Sequence, residues 1–278
     1  MKVLLTGAEG QLGKNIKSKF SNCIALGHGT STDKIEFEDS DNIENTLSRF
    51  DPEIIINTAA FTNVDLCESN KRQAMAINGN ALRQITNFSR KNGVYLIHIS
   101  TDYVFDGFKG NYNESDVPYP INFYGVSKLI GDVYVSSYDN SLVIRTSGIF
   151  GSKSNFPAFV LKRLKNGENV PAMQSFYSPI SAKMLSVGIK EAINLKVKGI
   201  LNIAGERISR QEFAVKIAKY FNFEENLIKA LKQEDLNFKA KRPYDSSLDI
   251  GQAKKLLSKE VFDSELNIST LSDYALSE

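Results

Sequence analysis

Residues 3–13, Val3-Leu4-Leu5-Thr6-Gly7-Ala8-Glu9-Gly10-Gln11-Leu12-Gly13, run from an apolar stretch into three glycines spaced two residues apart. A short apolar run closed by glycine reads as a buried strand, and Gln11 to Phe20 has the apolar spacing of a helix. Glycines between a first strand and a first helix have separate uses there. Gly7 permits the sharp turn out of the strand, Gly10 lets backbone approach a pyrophosphate, and Gly13 lets the helix pack closely on the sheet. The helix start then presents free N–H groups and a partial positive charge to the phosphates. Glycines also make plain tight turns, but this strand-to-helix context favours a dinucleotide.

Outward from that loop, strand-like runs recur at Cys23–Leu26, Glu53–Asn57, Val94–Ser100 and Ser141–Thr146. Helical spacing fills the intervals at 42–50, 66–91 and 124–136. Short apolar strands alternating with amphipathic helices predict right-handed βαβ crossovers and a parallel sheet covered on both faces. Later segments read as a helix at 155–165, a strand at 170–174, a loop around Pro179, a helix at 180–195 and a buried strand at 200–204. Ser209 is placed to cap a helix over 210–221, and short helices end the chain. The fold class expected is α/β, a Rossmann-like doubly wound parallel sheet with a smaller, mixed C-terminal substrate lobe. Residues 1–150 are assigned to a dinucleotide-binding Rossmann domain, with 180–205 returning to it; 151–179 and 206–278 form the lobe.

Composition narrows the function classes. Of the 278 residues, 42% are hydrophobic and 24% charged, with a formal net charge of +2, the balance of an ordinary globular chain. So small a charge argues against nucleic-acid or membrane-surface partners. No apolar run approaches the roughly 18 residues of a membrane span, and the N-terminus lacks the long apolar core of a secretion signal. Cys23 and Cys67 lie far apart without metal-ligand spacing and read as reduced thiols. The expectation is a soluble, cytoplasmic protein.

Tyr124-Gly125-Val126-Ser127-Lys128 sets a phenol and an ammonium at i and i+4, on one face of a helix. Alone, Tyr124 reads as a packing aromatic, Lys128 as a solvated charge and Thr101 as a turn hydroxyl. Together, downstream of a phosphate loop, they suit ketone reduction. Hydride delivery leaves an alkoxide that needs a proton, and a cation beside a phenol brings its pKa toward the working range. Thr101, at the carboxyl end of the fourth strand, stands where open parallel sheets bind ligands. His98 reads as a satisfied buried residue rather than a catalyst. After the second strand the chain reads Gly27-His28-Gly29-Thr30-Ser31, without the carboxylate that would repel a 2′-phosphate. NADP(H) is therefore favoured, with NAD(H) as the alternative.

The motifs Thr6–Gly13, Asn57–Asp65, Ser100–Gly107, Tyr124–Lys128 and Arg145-Thr146-Ser147, with the late Arg242-Pro243 and Ser247-Leu248-Asp249, run through nearly the whole chain. In them it resembles the dTDP-4-dehydrorhamnose reductase family of the extended short-chain dehydrogenase/reductase superfamily. The resemblance implies NADPH-dependent reduction of the C4 ketone of a nucleotide-linked 6-deoxy sugar, in dTDP-L-rhamnose biosynthesis. It carries the catalytic roles to Thr101, Tyr124 and Lys128. Cofactor contacts fall on Gly7, Gly10, Gln11, Leu12, Gly13, Ala59, Ala60, Thr62, Ser100, Tyr124 and Lys128, with Asn78 as a structural neighbour. Substrate contacts fall on Thr101, Asp102, Tyr103, Val104 and Gly148.

Tyr103 after Asp102 is the reductase form of that motif; related dehydratases carry a second carboxylate there. Two departures bear on the substrate. Gly148 stands where these reductases often carry an aromatic, and Gln174-Ser175-Phe176-Tyr177-Ser178-Pro179-Ile180 replaces the usual Asp-Gln-x-Gly-x-Pro-Thr. Phe176 and Tyr177 are the aromatics available to compensate. No metal site is expected, and a homodimer is left open. The alternative functions are reduction of another nucleotide sugar, or a non-catalytic NADP-binding subunit resembling the regulatory β subunit of methionine adenosyltransferase.

Overall fold

A computed structural model describes residues 1–27, 35–151, 155–232 and 237–272. The first half of the chain builds β1 (Val3–Thr6), α1 (Gln11–Lys17), β2 (Cys23–Leu26), α2 (Ser40–Phe50), β3 (Ile54–Asn57), α3 (Val64–Ser69), α4 (Lys71–Met75), α5 (Ala81–Asn92), β4 (Tyr95–Ile99), α6 (Phe123–Ser136) and β5 (Ser141–Arg145). The second half adds β6 (Ile149–Phe150), α7 (Phe156–Lys165), β7 (Val170–Met173), β8 (Phe176–Tyr177), β9 (Ile180–Ser181), α8 (Ala182–Asn194), β10 (Gly199–Asn202), β11 (Ile208–Ser209), α9 (Arg210–Tyr220), β12 (Ile228–Leu231), α10 (Gly251–Leu256) and α11 (Ser264–Ser269).

Six strands pair in the order β10-β5-β4-β3-β1-β2, all parallel. The order reverses between β1 and β3, so a crevice opens at their carboxyl ends. Covering both faces makes every second residue matter. Val3, Leu5, Ile54, Ile56, Ile97 and Ile99 enter one core with Leu12 and Ile16 of α1 and Leu185 and Ile189 of α8. Leu4, Ile55, Leu96 and Val143 enter the other with α2, α5 and α6. Each such fully buried side chain stabilises the fold by about 1.5–3 kcal/mol relative to exposure. His98 shares the face of Leu96, and Arg145 that of Val143, which sends both polar groups toward α6.

Residues beyond β5 gather a third core around Phe150, Leu161, Val170, Tyr177, Phe213 and Ile217. Short pairs tie it together: β6 with β9, β7 with β12, and β8 with β11. Ser209 caps α9 in a full capping box, its hydroxyl accepting from Glu212 N (3.0 Å) while Glu212 accepts from Ser209 N (2.9 Å).

Three segments differ from the sequence reading. The stretch 66–91 is not one helix: Asn70 breaks it (φ −115°, ψ 53°), and Ala76–Asn80 forms a π-helical turn. That turn places Asn78 under the loop after β3, where it is needed as a clamp. Ile180–Ser181 is a short strand preceding α8 rather than its first turn. Strand β12 was not anticipated, because of its four residues only Ile228 is buried.

Candidate active site

At the carboxyl ends of β1 and β3 lies a cleft of about 480 Å³. Its floor is the glycine loop. Gly7 has φ +71°, and a Cβ there would sit 2.6 Å from Ala59 N. A Cβ at Gly13 would sit 2.2 Å from Gly7 O, while Gly10 N donates to that same oxygen at 3.0 Å. Side chains are excluded from this floor by backbone, which leaves it shaped for an extended phosphate-bearing group. The opposite wall is the 58–62 loop. Asn78 clamps it, accepting from Phe61 N (2.8 Å) and donating to Phe61 O (3.1 Å) and to Ser127 Oγ (3.0 Å). Gly7, Gly10, Gln11, Leu12, Gly13, Ala59, Ala60, Thr62, Ser100, Tyr124 and Lys128 all line the cleft. These residues fit a dinucleotide laid from the glycine loop toward Tyr124. His28, Thr30 and Ser31, in the carboxylate-free segment after the second strand, lie outside the described residues.

Tyr124 stands in the first turn of α6, whose start is fixed from both sides. Asn122 Oδ1 accepts from Gly125 N (2.8 Å), and Glu68 accepts from Phe123 N (2.7 Å). Burial pushes the Tyr124 phenol well above its ordinary range, opposed by the Thr101 hydroxyl beside it. The group is therefore a phenol at neutral pH, ready to give a proton. One turn on, Lys128 is 1% exposed. Its Nζ donates to Ile99 O (2.7 Å) and lies 3.2 Å from His98 Nε2. Desolvation brings its pKa down to about 8, with Asp132 opposing the shift.

Behind Lys128 runs a buried chain of polar groups. Thr6 Oγ1 donates to Asn57 Oδ1 (2.6 Å), so Asn57 Nδ2 faces His98 Nδ1 (3.0 Å) as a donor. This network assigns the neutral imidazole its proton on Nε2, on the side of Asp132 Oδ1 at 3.7 Å, so Nε2 is not an acceptor for the Lys128 ammonium. Burial, then the Lys128 charge, hold His98 well below its usual range, so it stays neutral. Asp132 in turn lies 3.5 Å from Arg145 Nε. None of these partners follows from the spacing of Tyr124 and Lys128.

The residues expected to meet substrate divide. Thr101, Asp102, Tyr103 and Gly148 line a second chamber that continues the cleft, together with Tyr124. Val104 does not; it is wholly buried in the core under β4. Asp102 lines the wall with its oxygens engaged: Oδ1 accepts from Thr101 Oγ1 (3.1 Å), and Oδ2 from Ser147 (2.7 Å) and Ser246 (2.6 Å). Through Ser246 it ties the ends of β4 and β5 to the segment that enters the late Ser247-Leu248-Asp249 motif. Tyr177 and Arg210 also line the chamber and were not singled out as site residues, although Tyr177 was named as an aromatic in reserve. No local signal marks Arg210; a capped helix start carries charged residues routinely.

A doubly wound sheet with a side-chain-free phosphate floor at one end of a cleft and a buried Tyr-Lys-Thr cluster at the other defines an oxidoreductase of the extended short-chain dehydrogenase/reductase class. A family model described as RmlD substrate binding domain matches residues 1–273. The chain belongs to this family, that of the dTDP-4-dehydrorhamnose reductases. It is 30% identical to dTDP-4-dehydrorhamnose reductase of Aggregatibacter actinomycetemcomitans, over 99% of each chain. It is 27% identical to methionine adenosyltransferase 2 subunit beta of Rattus norvegicus, over 92% of this chain and 82% of that one. Among solved structures, a hypothetical dTDP-4-dehydrorhamnose reductase from Sulfolobus tokodaii is 44% identical with TM-score 0.89, covering 96% of this chain and 99% of that one. The Bacillus anthracis dTDP-4-dehydrorhamnose reductase in complex with NADP is 27% identical with TM-score 0.87, covering 100% of both. No helix among the described residues is long and apolar enough to cross a membrane, and no described cluster of three or more His, Cys, Asp or Glu could hold a metal ion.

Proposed function

We propose that the protein reduces the C4 ketone of a nucleotide-linked 6-deoxy sugar at the expense of NADPH, as a dTDP-4-dehydrorhamnose reductase. The observation that carries this reading is that one continuous cleft joins the glycine loop to Tyr124, Lys128 and Thr101. Bound NADPH supplies the hydride. Tyr124 Oη gives its proton to the carbonyl oxygen as charge develops there. The Thr101 hydroxyl, which points at Asp102 in the free protein, turns to the same oxygen as a second donor. Lys128 stabilises the phenolate left behind, its Nζ held by its bond to Ile99 O. Residues 151–179 and 206–278 act as the substrate-binding lobe over this site.

Purified protein mixed with NADPH and dTDP-4-dehydro-6-deoxy-L-mannose should oxidise the cofactor. Absence of turnover with that compound and with every other 4-keto sugar nucleotide ends the proposal. A second reading, a non-catalytic NADP-binding subunit, draws support from the likeness to methionine adenosyltransferase 2 subunit beta. Against it stands Lys128, whose burial beside a neutral imidazole is a cost that a pure scaffold has no use for. Co-purification with a larger catalytic partner, without reductase activity, selects the second reading.

A further inference from the structure

The second chamber, about 300 Å³, opens beyond the Tyr124 end of the cleft. Among the described residues, Arg210 is the one Lys or Arg side chain lining it. Among the described residues, Arg210 makes no ion pair within 4 Å. The nearby Asp102 carboxylate acts on it only through space: its oxygens accept from three hydroxyls and make no ion pair with the guanidinium. A guanidinium facing an open chamber without an ion-paired carboxylate is a receiver for an oxyanion.

The guanidinium is also seated. Its carbon lies 4.1 Å from the centroid of the Tyr177 ring and 5.7 Å from that of Phe156. Its backbone is pinned by Arg210 N donating to Ser175 O at 3.1 Å. Tyr177 is 3% exposed, yet its hydroxyl has no hydrogen-bond partner. The Arg210 guanidinium acts on this buried hydroxyl, so the two groups stand in the chamber wall as one polar pair. Tyr177 occupies this place only because residue 148 is glycine. A Cβ at Gly148 would fall 2.9 Å from Tyr177 Cε2 and 3.0 Å from Cδ2.

We propose that Arg210, seated on Tyr177 in the space that Gly148 leaves, binds the diphosphate of the nucleotide-linked substrate. The proposal rests on the reductase reading and adds to it the residue that selects a phosphorylated sugar over a free one. The two departures at Gly148 and Tyr177 then become one feature: the missing side chain at the first makes room for the ring at the second.

Isothermal titration of dTDP into NADP⁺-saturated protein tests this, with wild type compared against Arg210→Met, Arg210→Lys and Gly148→Ala. Arg210→Met should weaken dTDP by at least about tenfold while NADP⁺ affinity stays within about twofold, and Arg210→Lys should fall between. Gly148→Ala should also weaken dTDP, and should add nothing in the Arg210→Met background, since both act through one contact. Equal dTDP affinity in Arg210→Met and wild type overturns the proposal. So does a parallel loss of NADP⁺ affinity, or a wild type that does not bind dTDP. Wild-type NADPH oxidation with a 4-keto sugar nucleotide is measured alongside. Turnover without dependence on Arg210 removes this inference alone; no turnover removes the reductase reading. Should Arg210→Met not fold, Arg210→Lys against wild type decides.

Discussion

At the loop end of the cleft, residues 3–13 supply the floor from one uninterrupted stretch, and what matters is the absence of side chains. At the far end Thr101, Ser147, Tyr177, Arg210 and Ser246 arrive from five separate stretches, and what matters is the hydroxyls and charge they bring. Phosphate recognition by backbone is local, because consecutive N–H groups at a strand-to-helix turn already converge. Recognition of a sugar and its proton chemistry needs side chains at angles that no single turn provides. The two ends should therefore fail differently: added atoms should damage the first, removed atoms the second.

The largest effect is expected where chemistry rests on one atom. Tyr124→Phe should lower turnover by about 10²–10⁴-fold, the usual worth of a positioned acid, and weaken NADPH binding far less, since the loop end carries most of it. Steady-state kinetics beside a fluorescence titration of NADPH checks this; comparable losses in both would erase the division. Lys128→Met should also lose most turnover yet unfold at higher temperature. Burial lowers the Lys128 pKa to about 8 from 10.5, so the folded protein bears the cost of a desolvated ammonium below pH 8. Between about pH 8 and 10.5 the unfolded chain holds the extra proton and wild-type stability rises with pH. The variant's advantage, on the order of 1–3 kcal/mol at pH 7, should shrink over that window. In wild type, kcat/KM should fall as pH rises through about 8.

Gly13→Ala sharpens the comparison from the loop side. Its Cβ would meet Gly7 O at 2.2 Å, so backbone must move. NADPH affinity should drop more than about tenfold, with roughly 1–3 kcal/mol lost from stability. Calorimetry with and without cofactor reads both. The smallest effect is expected from Ser246→Ala, which removes one of three hydroxyls on Asp102. A cost of about 1–2 kcal/mol in stability and a raised KM for the sugar nucleotide should appear without change in NADPH affinity. A shift in NADPH affinity instead would show that the Asp102 knot serves both ends.

The sequence alone determined the strand, loop and helix at the N-terminus, the succession of strands that forms the sheet, the capped start of α9 and the Tyr124–Lys128 pair. Each of these is written in a few neighbouring residues, by apolar period, by glycine or by one helical turn. The break of 66–91 by a π-helical turn at Asn78 was not legible, because the gain lies in a loop seventeen positions away. The same holds for the neutral His98 behind Lys128, for Asp102 spent on Ser147 and Ser246, and for Tyr177 filling the space at Gly148. Only the tertiary structure decided these, since a buried polar group takes whichever partner the packing brings within about 3 Å. Nothing in chain distance ranks those partners.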